Sequence, residues 1–218
     1  GFPGWHLECS AMSRKYLGAE FDIHGGGLDL MFPHHECEIA QSQACHHPTD
    51  EARVWMHNNM LTVNGAKMSK SLGNFITLSE LFSGQSATLT QAYSPMTVRF
   101  FLLQAHYRST VDITDDGLQA ARKGYRKLMN GLRLLDKLQL PEGTERAPDT
   151  TADAELQKLT QDCFQGLNDD LNTARTIASL FNLLRKFNGY ATNLPSLAQA
   201  SETALQEAIS TFRTLVQD

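Results

Sequence analysis

In the stretch Phe32-Pro33-His34-His35-Glu36-Cys37-Glu38-Ile39-Ala40-Gln41 an imidazole and a carboxylate stand four residues apart. Pro33 has a fixed φ and no N–H to lose, which suits the first turn of a helix. In a helix starting there, His34 and Glu38 share one face, one turn apart. Alone, such a pair is most often a solvated helix face. Nitrogen, oxygen and thiolate together are the donor set of a tetrahedral zinc site, however, and Cys9 upstream supplies a thiolate. A second chemical stretch is Lys67-Met68-Ser69-Lys70-Ser71-Leu72-Gly73-Asn74. Two lysines within four residues of a Ser- and Gly-containing loop can neutralise a triphosphate, and Gly73 lets the loop move.

These groups need elements to hold them. Trp5-His6-Leu7-Glu8-Cys9-Ser10 reads as a strand end, with a helix over 8–17 that buries Met12, Tyr16 and Leu17. Phe21-Asp22-Ile23 reads as a strand and 24–29 as a glycine loop, the kind of strand end at which an open α/β sheet opens its ligand crevice. A helix is expected from Pro33 to about residue 46, stopped by Pro48, with Cys45-His46-His47 its frayed end. Val54-Trp55-Met56-His57 reads as a strand, and Asn64-Gly65 after Met60-Leu61-Thr62-Val63 as a hairpin turn. The remainder reads as helical. Short helices are expected at 78–82 and 96–105, the latter with Val98, Phe101 and Leu102 inward. The stripe Leu118, Ala121, Tyr125, Leu128, Leu132, Leu135 has the helical period, with Arg122, Lys123, Arg126, Lys127, Arg133 and Lys137 as a basic face. That face is a solvated surface or a phosphate contact. Helices over 154–167, from a cap at Asn172, and over 201–216 complete the pattern, with a polar loop at 141–153 and a break at Pro195. The fold class is therefore α/β followed by all-α, in three regions: 1–50, 51–110 and 111–218.

The net charge of −5 excludes a chain that is basic overall, although local basic faces remain open. Four cysteines show no disulfide-framework spacing, so they are expected to be reduced. No run is apolar enough to span a membrane and no leader is visible, so a cytoplasmic location and no membrane partner are expected. The opening Gly1-Phe2-Pro3-Gly4-Trp5, without a Met, reads as the middle of a protein.

Lys67-Met68-Ser69-Lys70-Ser71 resembles the signature loop of class I aminoacyl-tRNA synthetases. Gly4-Trp5-His6-Leu7-Glu8-Cys9-Ser10 and the run from His24-Gly25-Gly26-Gly27-Leu28-Asp29 to Pro33-His34-His35-Glu36-Cys37-Glu38 resemble the cysteinyl-tRNA synthetase family in particular. Val98-Arg99-Phe100-Phe101-Leu102 and Asn168-Asp169-Asp170-Leu171-Asn172-Thr173 extend the likeness. The resemblance implies the second half of a Rossmann-like catalytic domain with a zinc site, then a stem-contact fold carrying the lysine loop, then an antiparallel helical bundle. In that family zinc is held by two cysteines, a histidine and a glutamate, and Cys9, His34 and Glu38 take three of those places. The other cysteine and the "HIGH" signature belong to the family's N-terminal half. The chain is thus expected to be a fragment, without that half or the anticodon-binding domain, with little catalysis by itself. Cys37 stands where many members have Asn.

The activity so implied is cysteine–tRNA ligation. Cysteine is activated by ATP (with Mg2+) to cysteinyl-adenylate and passed to tRNA(Cys), while zinc selects the thiol. The resemblance makes Lys67 and Lys70 catalytic, and Lys67, Met68, Ser69, Lys70 and Ser71 ATP-binding. Trp5 and His24 would line the amino-acid pocket and Asp29 would hold the α-ammonium. Each has a plainer reading: Trp5 as core, His24 as a donor to a backbone carbonyl, Asp29 as a turn cap. Partners are then tRNA(Cys), cysteine and ATP, with a monomeric parent. Two other functions stay open: a mycothiol-pathway cysteine ligase, and a zinc-containing tRNA-binding module without catalysis.

Overall fold

A computed structural model describes residues 4–45, 51–86 and 88–217. The opening tripeptide and the helix end expected at 46–48 lie outside the described residues. Two compact units are formed, one of Gly1–Thr62 with Tyr107–Asp112, the other of Val63–His106 with Ile113–Asp218.

The first unit begins with α1, Trp5–Leu17. The strand end expected at Cys9 is therefore a helix. Its thirteen residues include no Val, Ile or Thr to resist helix formation, and Gly18 stops it at φ 101°. The half-buried stripe of α1 is His6, Cys9, Ser10 and Ser13, spaced by three and four. Ser10 Oγ donates to Gln41 Oε1 at 3.0 Å. Met12, Tyr16 and Leu17, expected inside, lie off that stripe and are exposed.

Strand β1, Phe21–Gly27, takes in the three glycines, so the loop expected at 24–29 begins only after Gly27. It pairs in parallel with β2, Ala52–Asn58, from Phe21 opposite Ala52 to Gly27 opposite Asn58. The paired partner, invisible to a local reading of Gly25-Gly26-Gly27, supplies the hydrogen bonds that extend them. A Cβ on Gly26 would stand 2.7 Å from the His35 ring, so a side chain there would displace that imidazole. Between the strands run the single turn α2, Leu28–Leu30, a π-type turn over Met31–His35, and α3, Glu36–Cys45. Phe32 is extended inside that turn (φ −133°, ψ 131°); helical dihedrals resume at Pro33, but the regular α-helix expected from Pro33 begins at Glu36.

Asn64 (φ 49°) and Gly65 (φ 77°) both take positive φ, as a tight hairpin between β3, Leu61–Val63, and β4, Ala66–Lys67, requires. A short strand that the sequence reading left out, β5, Val111–Ile113, joins β3 on its other side.

In the second unit, α4, Leu78–Ser83, starts on a capping box of Thr77 and Glu80. Helix α5, Pro95–Leu103, starts on Ser94 with Pro95 in its first turn. Its buried face is Thr97, Val98 and Phe100; Phe101 is half-buried and Leu102 exposed, which corrects the inward set by one position around the helix. Then come α6, Asp115–Leu135; α7, Thr150–Asn168; α8, Thr173–Thr192; α9, Leu194–Gln199; and α10, Glu202–Gln217. Pro195 sits in the first turn of α9 and so begins a helix as well as ending one. The core gathers Leu128 and Leu135 of α6, Leu156 and Cys163 of α7, Leu183 and Phe187 of α8, and Leu205 and Phe212 of α10. Asn172 caps α8 by accepting from Arg175 N, as expected.

Asp115, in the first turn of α6, ties the segment before α5 to this helix. Its carboxylate accepts from Thr90 Oγ1 and Tyr93 Oη at 2.6 Å each, from Gln119 Nε2 at 2.8 Å, and from Thr90 N. Burial alone would raise its pKa, but the hydrogen bonds from Thr90, Tyr93 and Gln119 overcome that and hold it at about 2. A depressed folded-state pKa contributes stability above the ordinary carboxylate value, and this is lost as pH falls through the folded one. Asp115→Asn is therefore expected to cost about 1–2 kcal/mol at pH 7, with the gap to the unmodified chain closing between about pH 4 and 2. Urea unfolding across that range checks it; a gap that is constant with pH contradicts it.

Candidate functional site

The turn at Met31–His35 and the first turn of α3 place three polar side chains in the interior: His34, His35 and Glu38, the last 1% exposed. Glu38 Oε1 stands 2.9 Å from His34 Nε2, and Oε2 stands 3.7 Å from His24 Nδ1. Despite that closeness, neither Glu38 Oε1 nor His24 Nδ1 has a hydrogen bond. Burial, with the Glu51 carboxylate in support, pushes the Glu38 pKa up to about 7. The Cys9 thiol is raised likewise, by burial first and then by Glu38 and Glu8. Both shifts come first from burial, which disfavours the charged form of each group.

The ligand atoms of Cys9, His34 and Glu38 lie within 4.8 Å of one another. Two atoms bound at about 2.0–2.3 Å to one tetrahedral zinc stand about 3.3–3.8 Å apart, so the three lie close enough for a small shift to bring them onto one ion. The chemistry of the set fits as well: a thiol, an imidazole and a carboxylate oxygen that nothing else satisfies. The structure thus brings together the three residues the sequence singled out, although Cys9 comes from a helix face.

A second trio, His24, His35 and Glu38, meets the same spacing. His35 was passed over in the sequence. Its signal was the doublet His34-His35, whose second member is buried too. Its ring nitrogen Nδ1 lies 2.8 Å from His57 Nε2. Burial first, then His24, His57 and His34, pushes its pKa down to about 4. The His24 pKa is lowered by burial and then by His34 and His57. His24 stacks on Trp55 with ring centroids 4.5 Å apart and planes 17° from parallel, so Trp55, also unforeseen, orients it.

Trp5 is 58% exposed, which excludes the core reading, and its ring centre lies 4.4 Å from that of His34. Asp29 is exposed and its carboxylate folds back against Gly27, at the C-terminal end of β1. The N-cap of the turn that Asp29 enters is Gly27, which has no side chain to cap it.

The lysine loop follows β4 in the second unit. Asn74 clasps it at both ends: Asn74 Oδ1 accepts from Ser69 N at 2.9 Å and Asn74 Nδ2 donates to Lys67 O at 3.0 Å. Ser69 Oγ accepts from Leu72 N and lies 3.1 Å from Ser71 Oγ. Met68 points into the cluster of Val63, Ile76 and Tyr93 and anchors the loop. Lys67, Lys70 and Ser71 are exposed, with Lys70 Nζ 5.8 Å above the Phe75 ring. The result is a folded turn presenting two cations and two hydroxyls to solvent.

A Rossmann-type parallel strand pair and this signature loop together define the class. Residues 1–123 match the family described as tRNA synthetases class I (C) catalytic domain, and residues 165–217 match the DALR domain. The chain belongs to the class I tRNA synthetase (C) family. Its relatives are named more narrowly. It is 56% identical over all 218 residues to a cysteine–tRNA ligase of Cytophaga hutchinsonii, of which it covers 44%. It is 52% identical over 212 residues to one of Bacteroides fragilis, where the match takes in 97% of this chain and 41% of the relative. The chain thus spans less than half the length of these relatives. Among solved structures, the LeuRS–tRNA–LeuAMS ternary complex of Agrobacterium radiobacter K84 resembles it with a TM-score of 0.59 and 22% identity, over 89% of this chain and 26% of that one. That likeness is one of fold. No helix among the described residues is long and apolar enough to cross a membrane.

If Asn74 is the clasp of the lysine loop, Asn74→Ala will speed tryptic cleavage after Lys67 and Lys70 severalfold and leave the unfolding midpoint within about 0.5 kcal/mol. Unchanged cleavage rates at both lysines would refute that role.

Proposed function

We propose that this chain is part of a ligase that activates cysteine with ATP and transfers it to tRNA(Cys), using zinc to select the amino acid. The observation that carries the reading is the convergence of Cys9, His34 and Glu38 on one point beside the Trp5 ring. Cysteine differs from serine by one atom, and packing alone discriminates such neighbours by only about 1–3 kcal/mol. Zinc with an open position would bind the substrate sulfur as thiolate, which a serine hydroxyl cannot match and alanine cannot offer. In the whole protein the family's second cysteine would complete the ligand set.

The chain's own residues do the rest. Cys9, His34 and Glu38 would hold the metal. Trp5, packed on His34, and His24, stacked on Trp55, would wall the amino-acid pocket and exclude water from it. Asp29 would take the α-ammonium, its carboxylate standing at the strand's carboxyl end where α/β sheets bind ligands. Lys67 and Lys70 would neutralise the charge that builds on the phosphates as the cysteine carboxylate attacks the α-phosphorus and pyrophosphate leaves. Magnesium would accompany ATP. Met68, Ser69 and Ser71 shape the loop that presents the lysines. The 2′-hydroxyl of the tRNA's terminal adenosine would then receive the cysteinyl group. A cytoplasmic location goes with this reading.

Cysteine-dependent ATP–pyrophosphate exchange tests it, in a protein of the relatives' full length that carries these residues. Lys70→Ala is expected to lower kcat about 100-fold with little change in the KM for cysteine, whereas Glu38→Gln raises that KM and narrows the preference for cysteine over serine. Exchange that is indifferent to both substitutions would overturn the proposal. Cysteine exchange answered by an amino-sugar acceptor, with no tRNA charging, would point to the mycothiol-type ligase.

A further inference from the structure

Helices α7 and α8 are joined by residues 169–172, two of which hold a backbone conformation that L side chains rarely adopt: Asp170 at φ 55° and Leu171 at φ 52°. A turn between helices that needs this conformation is made with least strain by Gly, or by Asn. Burial does not account for the residues found, since Leu171 is 48% exposed and the Asp170 side chain 44%. The turn is nevertheless firmly held. Asn172 N donates to Gly166 O at 2.7 Å, and Thr173 N to Leu171 O at 2.8 Å. The two helices come so close that a Cβ on Gly166 would stand 2.6 Å from Thr176 Oγ1 and 2.7 Å from Asn172 O. Strain kept in an exposed turn directs attention to the side chains that the turn presents.

Those side chains reach the C-terminal end of α5. Thr173 Oγ1 donates to Leu103 O at 2.7 Å, in the last turn of α5, where a helix offers its carbonyls no partner of its own. Asp170 Oδ2 stands 3.6 Å from His106 Nε2. Leu103 and His106 lie in the part of the chain that matches the catalytic domain, Asp170 and Thr173 in the part that matches the DALR domain. His106 is followed by the segment that runs into β5. Along it, Tyr107 O accepts from Asn59 N at 2.9 Å and Val111 N donates to Met60 O at 3.2 Å. Ile113 O then accepts from Asn64 N at 3.2 Å. Strand β5 is thereby laid along β3, and the β3 hairpin leads through β4 to Lys67.

We infer that Asp170 and Thr173 are positioning residues for the lysine loop. They clasp the end of α5 and so fix where the chain sets out toward β5, the strand that flanks the loop's hairpin. Neither touches a substrate; each acts through the end of α5 and then through β5. The kinetic consequence rests on the ligase reading proposed above, whereas the clasp itself does not.

Three variants, in a protein of the relatives' full length that carries these residues, separate the clasp from the strain. Asp170→Gly removes the carboxylate and relieves the strain, Thr173→Val removes the hydroxyl, and Leu171→Gly relieves strain while leaving the clasp in place. Limited trypsin digestion reads the clasp. Cleavage after Arg108 is expected to be severalfold faster in Asp170→Gly and Thr173→Val and unchanged in Leu171→Gly. Cysteine-dependent ATP–pyrophosphate exchange reads the positioning. Its kcat is expected to fall about tenfold in Asp170→Gly and Thr173→Val, with the KM for cysteine unchanged, and to be kept in Leu171→Gly. The urea midpoint of Asp170→Gly does not fall, because relief of strain opposes loss of the pair, so its lost kcat is not lost folded protein. Unchanged cleavage after Arg108 in Asp170→Gly would overturn the clasp, and an unchanged kcat would overturn the positioning role. An equal loss of kcat in Leu171→Gly would also overturn the inference, by assigning the effect to the shape of the turn. Absence of exchange from the unmodified protein, with the Arg108 cleavage responding as expected, would instead remove the ligase reading and leave the clasp standing.

Discussion

A carboxylate shut away from water must find a compensating charge or give up its own. Glu38, 1% exposed and without a hydrogen bond to Oε1, is in that position. The His24 pKa is lowered by burial and then by His34 and His57, and that of His35 is pushed down to about 4 by burial and then by His24, His57 and His34. For Glu38 the shift is upward: burial, with the Glu51 carboxylate in support, pushes its pKa up to about 7. A divalent cation between Glu38, His34 and Cys9, as proposed, would remove the conflict in one step. Pro33 restarts the helix so that His34 and Glu38 share a face. Gly26 leaves room for the His35 ring. Helix α1 turns Cys9 to its half-buried side.

The second unit answers a different requirement, that of presenting exposed cations from a firm base. The loop from Lys67 to Asn74 is short, polar and exposed, so its own burial gives it little stability. What fixes it is local: the Asn74 clasp, the hairpin turn at Asn64-Gly65 and the Met68 anchor on the cluster around Tyr93. The helices beyond pack a continuous apolar core from α6 to α10 and leave the cationic side of α6 unneutralised. Stability and charge presentation fall on opposite faces of one helix, a division the 3.6-residue period allows.

Much of this was legible because it depends on local chemistry. The Asn-Gly hairpin, the Asn172 cap, the stripe along α6 and the His34–Glu38 pairing are each set by residues within a few positions of one another. What was missed depends on partners far along the chain. Gly25-Gly26-Gly27 reads locally as a loop because its partners in β2, Met56-His57-Asn58, lie thirty-one residues on. Trp55 and His57, which orient His24 and His35, come from that same strand. Cys9 was assigned the right chemistry on the wrong element, since six residues around it carry too short a pattern to separate strand from helix. Phe100 in place of Leu102 is an error of helix phase, which a nine-residue helix apolar on nearly all sides cannot fix from sequence.

The central claim is that Cys9, His34 and Glu38 bind one metal ion together. Cobalt(II) substitution in the whole protein tests it directly, because a thiolate ligand adds a charge-transfer absorption that nitrogen and oxygen donors do not. The account predicts that band together with the visible transitions of a tetrahedral ion, a weakening of the band in Cys9→Ser, and its displacement by zinc at one equivalent. A cobalt spectrum without thiolate character, or one that Cys9→Ser and Glu38→Gln leave unchanged, would contradict it.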